Sequence, residues 1–227
     1  MSITLCNTIE IDESDYKSIK NIDEHDRVMI NNKLDVALDE KSFFNHLERL
    51  KGTDRVVSLG IGWTSHLKNV EIVKLFPNLR ILQIWGRNII SLEGLEWFRK
   101  GEHITIETKK NRKRNIEKIT QTSIENISLS YGRKDDFDVI GKCPFIRKLV
   151  IFKSPSPNFY DWKNVPIDYL KFSDGILTEL RDISQVKTLK DLFIGACGNF
   201  VEFTGDNSSV RQLIVYGCRC FDIRSIT

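Results

Sequence analysis

Residues 189–195, Leu189-Lys190-Asp191-Leu192-Phe193-Ile194-Gly195, place an apolar residue, two variable residues, a second apolar residue, one variable residue and a third apolar residue. The same frame recurs as Val56-x-x-Leu59-x-Ile61, Leu79-x-x-Leu82-x-Ile84, Ile124-x-x-Ile127-x-Leu129 and Ile146-x-x-Leu149-x-Ile151. It also recurs as Ile167-x-x-Leu170-x-Phe172 and Val210-x-x-Leu213-x-Val215. A weaker copy, Ile104-x-Ile106, has Gly101 where the first apolar residue belongs. The central positions 59, 82, 104, 127, 149, 170, 192 and 213 are separated by 23, 22, 23, 22, 21, 22 and 21 residues. Apolar alternation over so short a span marks a strand with one buried face. The remainder of each repeat suffices to turn, cross over and return to the next strand. The pattern predicts a parallel sheet built one strand per repeat, each turn burying its apolar row only by stacking on its neighbours.

On these residues the chain resembles the leucine-rich repeat family, and the repeat length is similar to its internalin-like, SDS22-like 22-residue class. The second repeat follows that frame through Leu79, Leu82, Ile84, Asn88, Ile89, Leu92, Leu95 and Phe98, and the sixth through Ile167, Leu170, Phe172, Leu177, Leu180, Ile183 and Val186. The resemblance covers residues 54–227 and implies an α/β fold, a leucine-rich-repeat-like solenoid with a parallel sheet on its concave face. It also implies a protein-binding role. The family's ladder-forming Asn is replaced here by Thr64, Arg87, Lys109, Gly132, Ser154, Gly175, Cys197 and Cys218, and Asn88 is one residue out of register. By the family's pattern Cys is an accepted substitute, so Cys197 and Cys218 are expected to stack in the core of adjacent turns. Without the ladder the solenoid is expected to be irregular.

Residues 1–53 leave the period. They read as strands near 3–11 and 27–36, and as a helix over 41–50 with Ser42 as its N-cap. Phe43, Phe44, Leu47 and Leu50 fall at helical spacing, so the segment is expected to be an N-terminal cap, with two divergent repeats as the alternative. At the other end, the strand 213–216 is an edge open to another chain. Contact between copies through it stays an open alternative, and the oligomeric state is not fixed.

Composition bounds the function. The 227 residues carry 34 Lys and Arg against 31 Asp and Glu, a net charge of +3, with 41% hydrophobic residues, which describes a globular chain. That even balance argues against a protein that coats a polyanion. No apolar run is long enough to cross a membrane, and the acidic start lacks the pattern of a secretory signal. The five cysteines, Cys6, Cys143, Cys197, Cys218 and Cys220, are odd in number and lack Cys-x-x-Cys spacing, so a cytoplasmic, reducing location is expected. His25, His46, His66 and His103 form no His-Glu-x-x-His motif, and neither phosphate-loop nor nucleophile-elbow motifs occur. No metal, cofactor or catalytic residue is expected, and Cys220 lacks a partnering base.

Residues flanking each buried leucine point away from the core. They expose Trp85, Phe152, Tyr169, Phe193 and Tyr216, with Lys148 and Lys171 among them and Trp63 and Tyr131 just beyond their strands. Exposed aromatics among scattered charges are what protein interfaces use as anchors. The run Lys109-Lys110-Asn111-Arg112-Lys113-Arg114 is either a solvated turn or a cationic loop that steers an acidic protein. The function expected is a non-catalytic interaction module that occludes another protein, such as a bacterial immunity protein inhibiting a cognate toxin. An effector or regulatory adaptor, or nucleic-acid binding through residues 109–114, is the alternative.

Overall fold

The repeat spacing is realised as two stacks of parallel strands, one in each of two units, Met1–Ser123 and Ile124–Thr227. The structure, a computed structural model, describes residues 8–32, 39–107, 115–204, 208–222 and 224. In the first unit β1 (Thr8–Asp12), β2 (Arg27–Asn31), β3 (Ser58–Ile61), β4 (Ile81–Ile84) and β5 (His103–Ile106) lie side by side in chain order, with helix α1 (Glu40–Leu47) in the connection between β2 and β3. The second unit holds β6 (Asn126–Ser130), α2 (Lys134–Ile140), β7 (Lys148–Phe152), β8 (Tyr169–Ser173), β9 (Glu179–Leu180), β10 (Asp191–Gly195), β11 (Glu202–Phe203) and β12 (Gln212–Tyr216). Its main sheet runs β6, β7, β8, β10, β12, all parallel, and β9 pairs with β11 in the connections.

The central residues of the repeats pair directly. Leu59 faces Leu82 and Leu82 faces Ile104. In the second unit Ile127, Leu149, Leu170, Leu192 and Leu213 form one continuous row. These residues and the second row, Ile61 to Ile194, are buried against the connections. This burial lapses on β12, where Leu213 and Val215 are half-buried, and at Ile9 on β1. Gly101 breaks the sequence pattern without opening a hole, because a Cβ there would run into the Phe98 ring, which occupies the space. The connection after β7 has no helix, and Phe159, Trp162 and Phe137 fill it, with Phe159 and Trp162 edge to face at 4.8 Å.

The N-terminal segment contributes strands to the same sheet as β3. Ile9 faces Val28 and Val28 faces Leu59, positions 19 and 31 residues apart. Helix α1 accounts for the long interval. It begins one residue earlier than expected, and its N-cap is Asp39 rather than Ser42. The Asp39 carboxylate accepts the Ser42 N–H at 3.2 Å and the Ser42 hydroxyl at 2.6 Å, since a carboxylate is the stronger acceptor for the free N–H groups of a first turn. Phe43 packs on Tyr16, and His46 bonds the Ile19 carbonyl at 2.9 Å.

The two units end their strands differently. On β3, β4 and β5 of the first, the N–H of the residue after the strand donates back to the preceding strand, Gly62 to Ile30, Trp85 to Ile61 and Glu107 to Ile84, whereas after β1 the Glu13 N–H donates forward to the Asn31 carbonyl. A polar network replaces the expected asparagine column. Buried Glu13 accepts bonds from the Ser65 hydroxyl, the His66 N–H and the Asn32 amide, the Thr64 hydroxyl accepts the Asn32 N–H, and the Asn88 amide donates to the Ser65 carbonyl. In the second unit each main-sheet strand is five residues long and is followed by a residue in the left-handed region: Tyr131, Lys153, Asp174, Ala196 and Gly217. The first four donate forward, Tyr131 to Phe152, Lys153 to Ser173, Asp174 to Gly195 and Ala196 to Tyr216. Small residues, Gly132, Ser154, Gly175, Cys197 and Cys218, follow at the ladder position. A Cβ at Gly175 would press on the Ser154 backbone, and Cys197 is fully buried as expected. Cys218 on the last strand's exit is only half-buried rather than in the core, its thiol bonding the Ile194 carbonyl.

Two outcomes test this arrangement. Burial holds the Glu13 carboxyl above its ordinary 4.5, against the lowering by Ser65, His66 and Asn32. The folded chain therefore keeps a proton that the unfolded chain has lost, so this group favours folding fully below 4.5 and less as pH rises through the raised value. Urea unfolding at rising pH is expected to move the stability difference between wild type and Glu13→Gln in the variant's favour. At neutral pH, Leu170→Ala is expected to cost about 2–5 kcal/mol, while Lys171→Ala, its outward neighbour, stays within about 0.5 kcal/mol.

Candidate functional site

The fifth residue on each main-sheet strand of the second unit, which β3, β4 and β5 lack, determines what its outer face displays. A four-residue strand such as β4 shows two outward positions, Ile81 and Gln83, whereas a five-residue strand shows three. The third outward row of the second unit reads Ser130, Phe152, Ser173, Gly195, Tyr216 across the sheet. Two aromatic rings thus flank two small residues. Phe152 is 37% exposed and Tyr216 51%. The Tyr216 ring leans over Gly195, where a Cβ would collide with it. Ser173 is buried, and its hydroxyl has no hydrogen-bond partner among the described residues.

The other two rows complete a patch. Lys148, Tyr169, Asp191 and Gln212 are register neighbours, as are Val150, Lys171, Phe193 and Ile214. Tyr169 and Phe193 rings lie 5.0 Å apart, and the Lys148 ammonium sits 4.5 Å above the Tyr169 ring, a cation–π contact of about 0.5–1 kcal/mol at an exposed site. Burial, then the Asp191 carboxylate and Tyr216, push the Tyr169 phenol above its ordinary 10. The phenol therefore stays neutral at physiological pH. The result is a pre-ordered aromatic surface with cations on it. Rings already fixed by their neighbours lose little side-chain entropy when a partner arrives.

The sequence-derived residues divide between the units. Phe152, Tyr169, Phe193, Tyr216, Lys148 and Lys171 come together on the outer face of the second. Tyr131 lies beyond β6 in the left-handed exit, with the Lys153 ammonium 5.2 Å from its ring and Lys153 in turn 3.8 Å from Asp174. It belongs to the strand exits. Trp63 and Trp85 belong to the first unit. Trp63 is exposed, while half-buried Trp85 reaches toward Gly60.

The outer face of β3 is covered, although Ser58 and Gly60 point outward as expected. Their small size lets Met29 lie over Gly60 and lets the Arg27 guanidinium reach across to donate to the Gln83 side-chain oxygen Oε1 at 2.8 Å, so both positions are buried. The basic run Lys109, Lys110, Arg112, Lys113 and Arg114 lies outside the described residues. Sequence reasoning passed over a second set of cations, Arg147, Lys187, Lys190 and Arg211. They border a cleft of about 370 Å³ at the N-terminal ends of the second unit's strands. Three of them precede a strand by one residue, a recurrence at the repeat spacing that the sequence does carry.

Other chemistry-bearing side chains have structural surroundings. Burial pushes the Cys143 thiol to about 12 and raises that of Cys197, which removes both from thiolate chemistry. His103 pairs with the Thr105 hydroxyl at 3.1 Å. Among the described residues no group of three or more His, Cys, Asp or Glu side chains is placed to hold a metal ion, and no helix is long and apolar enough to cross a membrane.

No family model matches the chain, and no curated protein matches it in sequence. Solved structures do match. Listeria monocytogenes InlP aligns over 89% of this chain and 57% of its own, at 15% identity and a TM-score of 0.56. TLR13, solved as a complex with ssRNA13, aligns over 86% of this chain and 33% of its own, at 13% identity and a TM-score of 0.55. The chain thus spans little more than half of the one and a third of the other. Both are leucine-rich-repeat proteins, and the fold here is a leucine-rich-repeat-like solenoid built on parallel strands.

The packing of Tyr169 has a spectroscopic consequence. In a tyrosinate absorbance titration, Tyr169→Phe is expected to remove a component that titrates above pH 10, and Asp191→Asn to move that component toward 10.

Proposed function

We propose that this chain is a non-catalytic protein-binding module that docks its partner on the outer face of β7, β8, β10 and β12. The observation that carries the proposal is the cluster of Tyr169 on Phe193, flanked by Phe152 and Tyr216, with Lys148 seated on Tyr169. No described part of the chain takes these rings into the core, and large aromatics beside cations are the side chains that dominate interface energies. The mechanism is steric. The rings enter apolar pockets of the partner, Lys148 and Lys171 set its orientation, and the partner's own functional surface is covered.

Within that reading, the chain is an inhibitor of the immunity-protein kind, holding a toxin inactive in a bacterial cytoplasm. Support for a reducing compartment comes from the five cysteines, odd in number and without Cys-x-x-Cys spacing.

The test is capture of the partner from the source cells, followed by titration of the purified pair. Phe193→Ala and Tyr216→Ala are each expected to weaken affinity about 30-fold or more. Tyr160→Ala, an equally bulky exposed ring off the sheet, is expected to leave it unchanged. If the partner is a toxin, wild type restores growth to cells expressing it and Phe193→Ala does not. Unaltered affinity in both face variants would refute the docking face.

A further inference from the structure

Arg147, Asp168, Lys190 and Arg211 occupy one position on successive turns, immediately before β7, β8, β10 and β12. Their backbones are linked directly: the Asp168 N–H donates to the Arg147 carbonyl at 2.9 Å, Lys190 to Asp168 at 2.9 Å and Arg211 to Lys190 at 2.8 Å. With Lys187 they border the cleft of about 370 Å³, and Ser208 and Ser209 also line it. Four cations therefore converge on a cleft that also holds the carboxylate of Asp168. None of the four forms an ion pair or a side-chain hydrogen bond with a described residue. The first unit shows that this position can be neutralised internally, for there Arg80 and Glu102 on neighbouring turns are paired, with the Arg80 Nε donating at 2.7 Å. In the second unit four cations border the cleft beside a single carboxylate, an excess of positive charge that favours an anionic occupant.

We propose that this cleft receives an extended acidic segment of the protein partner that docks on the adjoining aromatic face. The inference rests on the docking face proposed above. Arg147, Asp168, Lys190 and Arg211 each directly precede an outward residue of that face, Lys148, Tyr169, Asp191 and Gln212. A chain leaving Tyr169 and Phe193 toward the N-terminal ends of the strands meets the cleft at once. Asp168 selects the form of the occupant. It stands between Arg147 and Lys190, so a compact polyphosphate would set its charge against the carboxylate. Carboxylates spaced along an extended chain, about 6.8 Å apart on one side, straddle it. Among the described residues no aromatic ring borders the cleft, which deprives a single-stranded nucleic acid of its stacking platform.

The probe is a labelled decapeptide of alternating Glu and Gly, followed by fluorescence anisotropy at about 50 mM salt. Wild type binds it, and binding weakens as salt rises. Arg147→Glu with Arg211→Glu is expected to reduce affinity at least about tenfold. Lys142→Glu with Lys163→Glu makes the same change in net charge at exposed sites of the same unit and is expected to change it less than about twofold. If charge reversal unfolds the chain by circular dichroism, Arg147→Gln with Arg211→Gln replaces it. Equal losses in both pairs, absence of binding, or tighter cleft-dependent binding of a labelled oligouridylate would each overturn the proposal. Phe193→Ala leaves peptide binding intact, so the cleft and the docking face fail or survive separately.

Discussion

An aliphatic row on a single turn has no core of its own to enter. In this chain it is removed from water only when the next turn is laid over it in register. Leu149, Leu170 and Leu192 are each fully or almost fully buried because a strand flanks them on both sides, whereas Leu213, flanked only by β10, is half-buried. Cooperativity along the stack follows from that dependence: each repeat is stabilised largely at its interfaces with its neighbours. The alternation that hides one row obliges the neighbouring row to face outward, so the architecture and the candidate docking face come from the same two-residue period.

How each strand is terminated decides how much of that outer row exists. Backbone groups at the end of a strand need partners, and the two units meet the need in different ways. The first, on β3, β4 and β5, returns the N–H to the strand before, and ties its exits with buried Glu13, Asn32 and Ser65 and half-buried Asn88. The second runs one residue further and turns through a left-handed residue, tolerated at Tyr131, Lys153, Asp174 and Ala196 at a local cost of about 1–2 kcal/mol each. The additional outward residue carries Phe152 and Tyr216, so the backbone exit is what places two of the face's aromatic rings.

The core rows are legible because stacking makes them periodic: Leu59, Leu82 and Ile104 in the first unit, and Ile127, Leu149, Leu170 and Leu192 in the second, stand in their predicted rows. Ile9 and Val28 were invisible to the same search, since intervals of 19 and 31 residues do not match a period near 22. Gly101 looked like a defect because the side chain that fills its space, Phe98, comes from three residues earlier. Asp39 was passed over as a cap for Ser42, a residue that instead donates to it. On the outer surface, sequence gave direction but not cover. Ser58 and Gly60 point outward and are nonetheless buried, because cover depends on the reach of Met29 and Arg27 from the neighbouring strand. Arg147, Lys190 and Arg211 are ordinary surface charges when read singly, and only the stacking of turns gathers them around a cleft.

The alternation along β10 is the central claim, and thiol accessibility tests it most directly. With the five native cysteines replaced, single cysteines at Asp191, Leu192, Phe193 and Ile194 are reacted with a water-soluble maleimide under native conditions. The fold predicts rapid labelling at 191 and 193 and slowing by about two orders of magnitude or more at 192 and 194, where reaction requires local opening. Uniform rates, or fast labelling at 192 and 194 in a folded chain, would contradict the register on which both the core and the docking face depend.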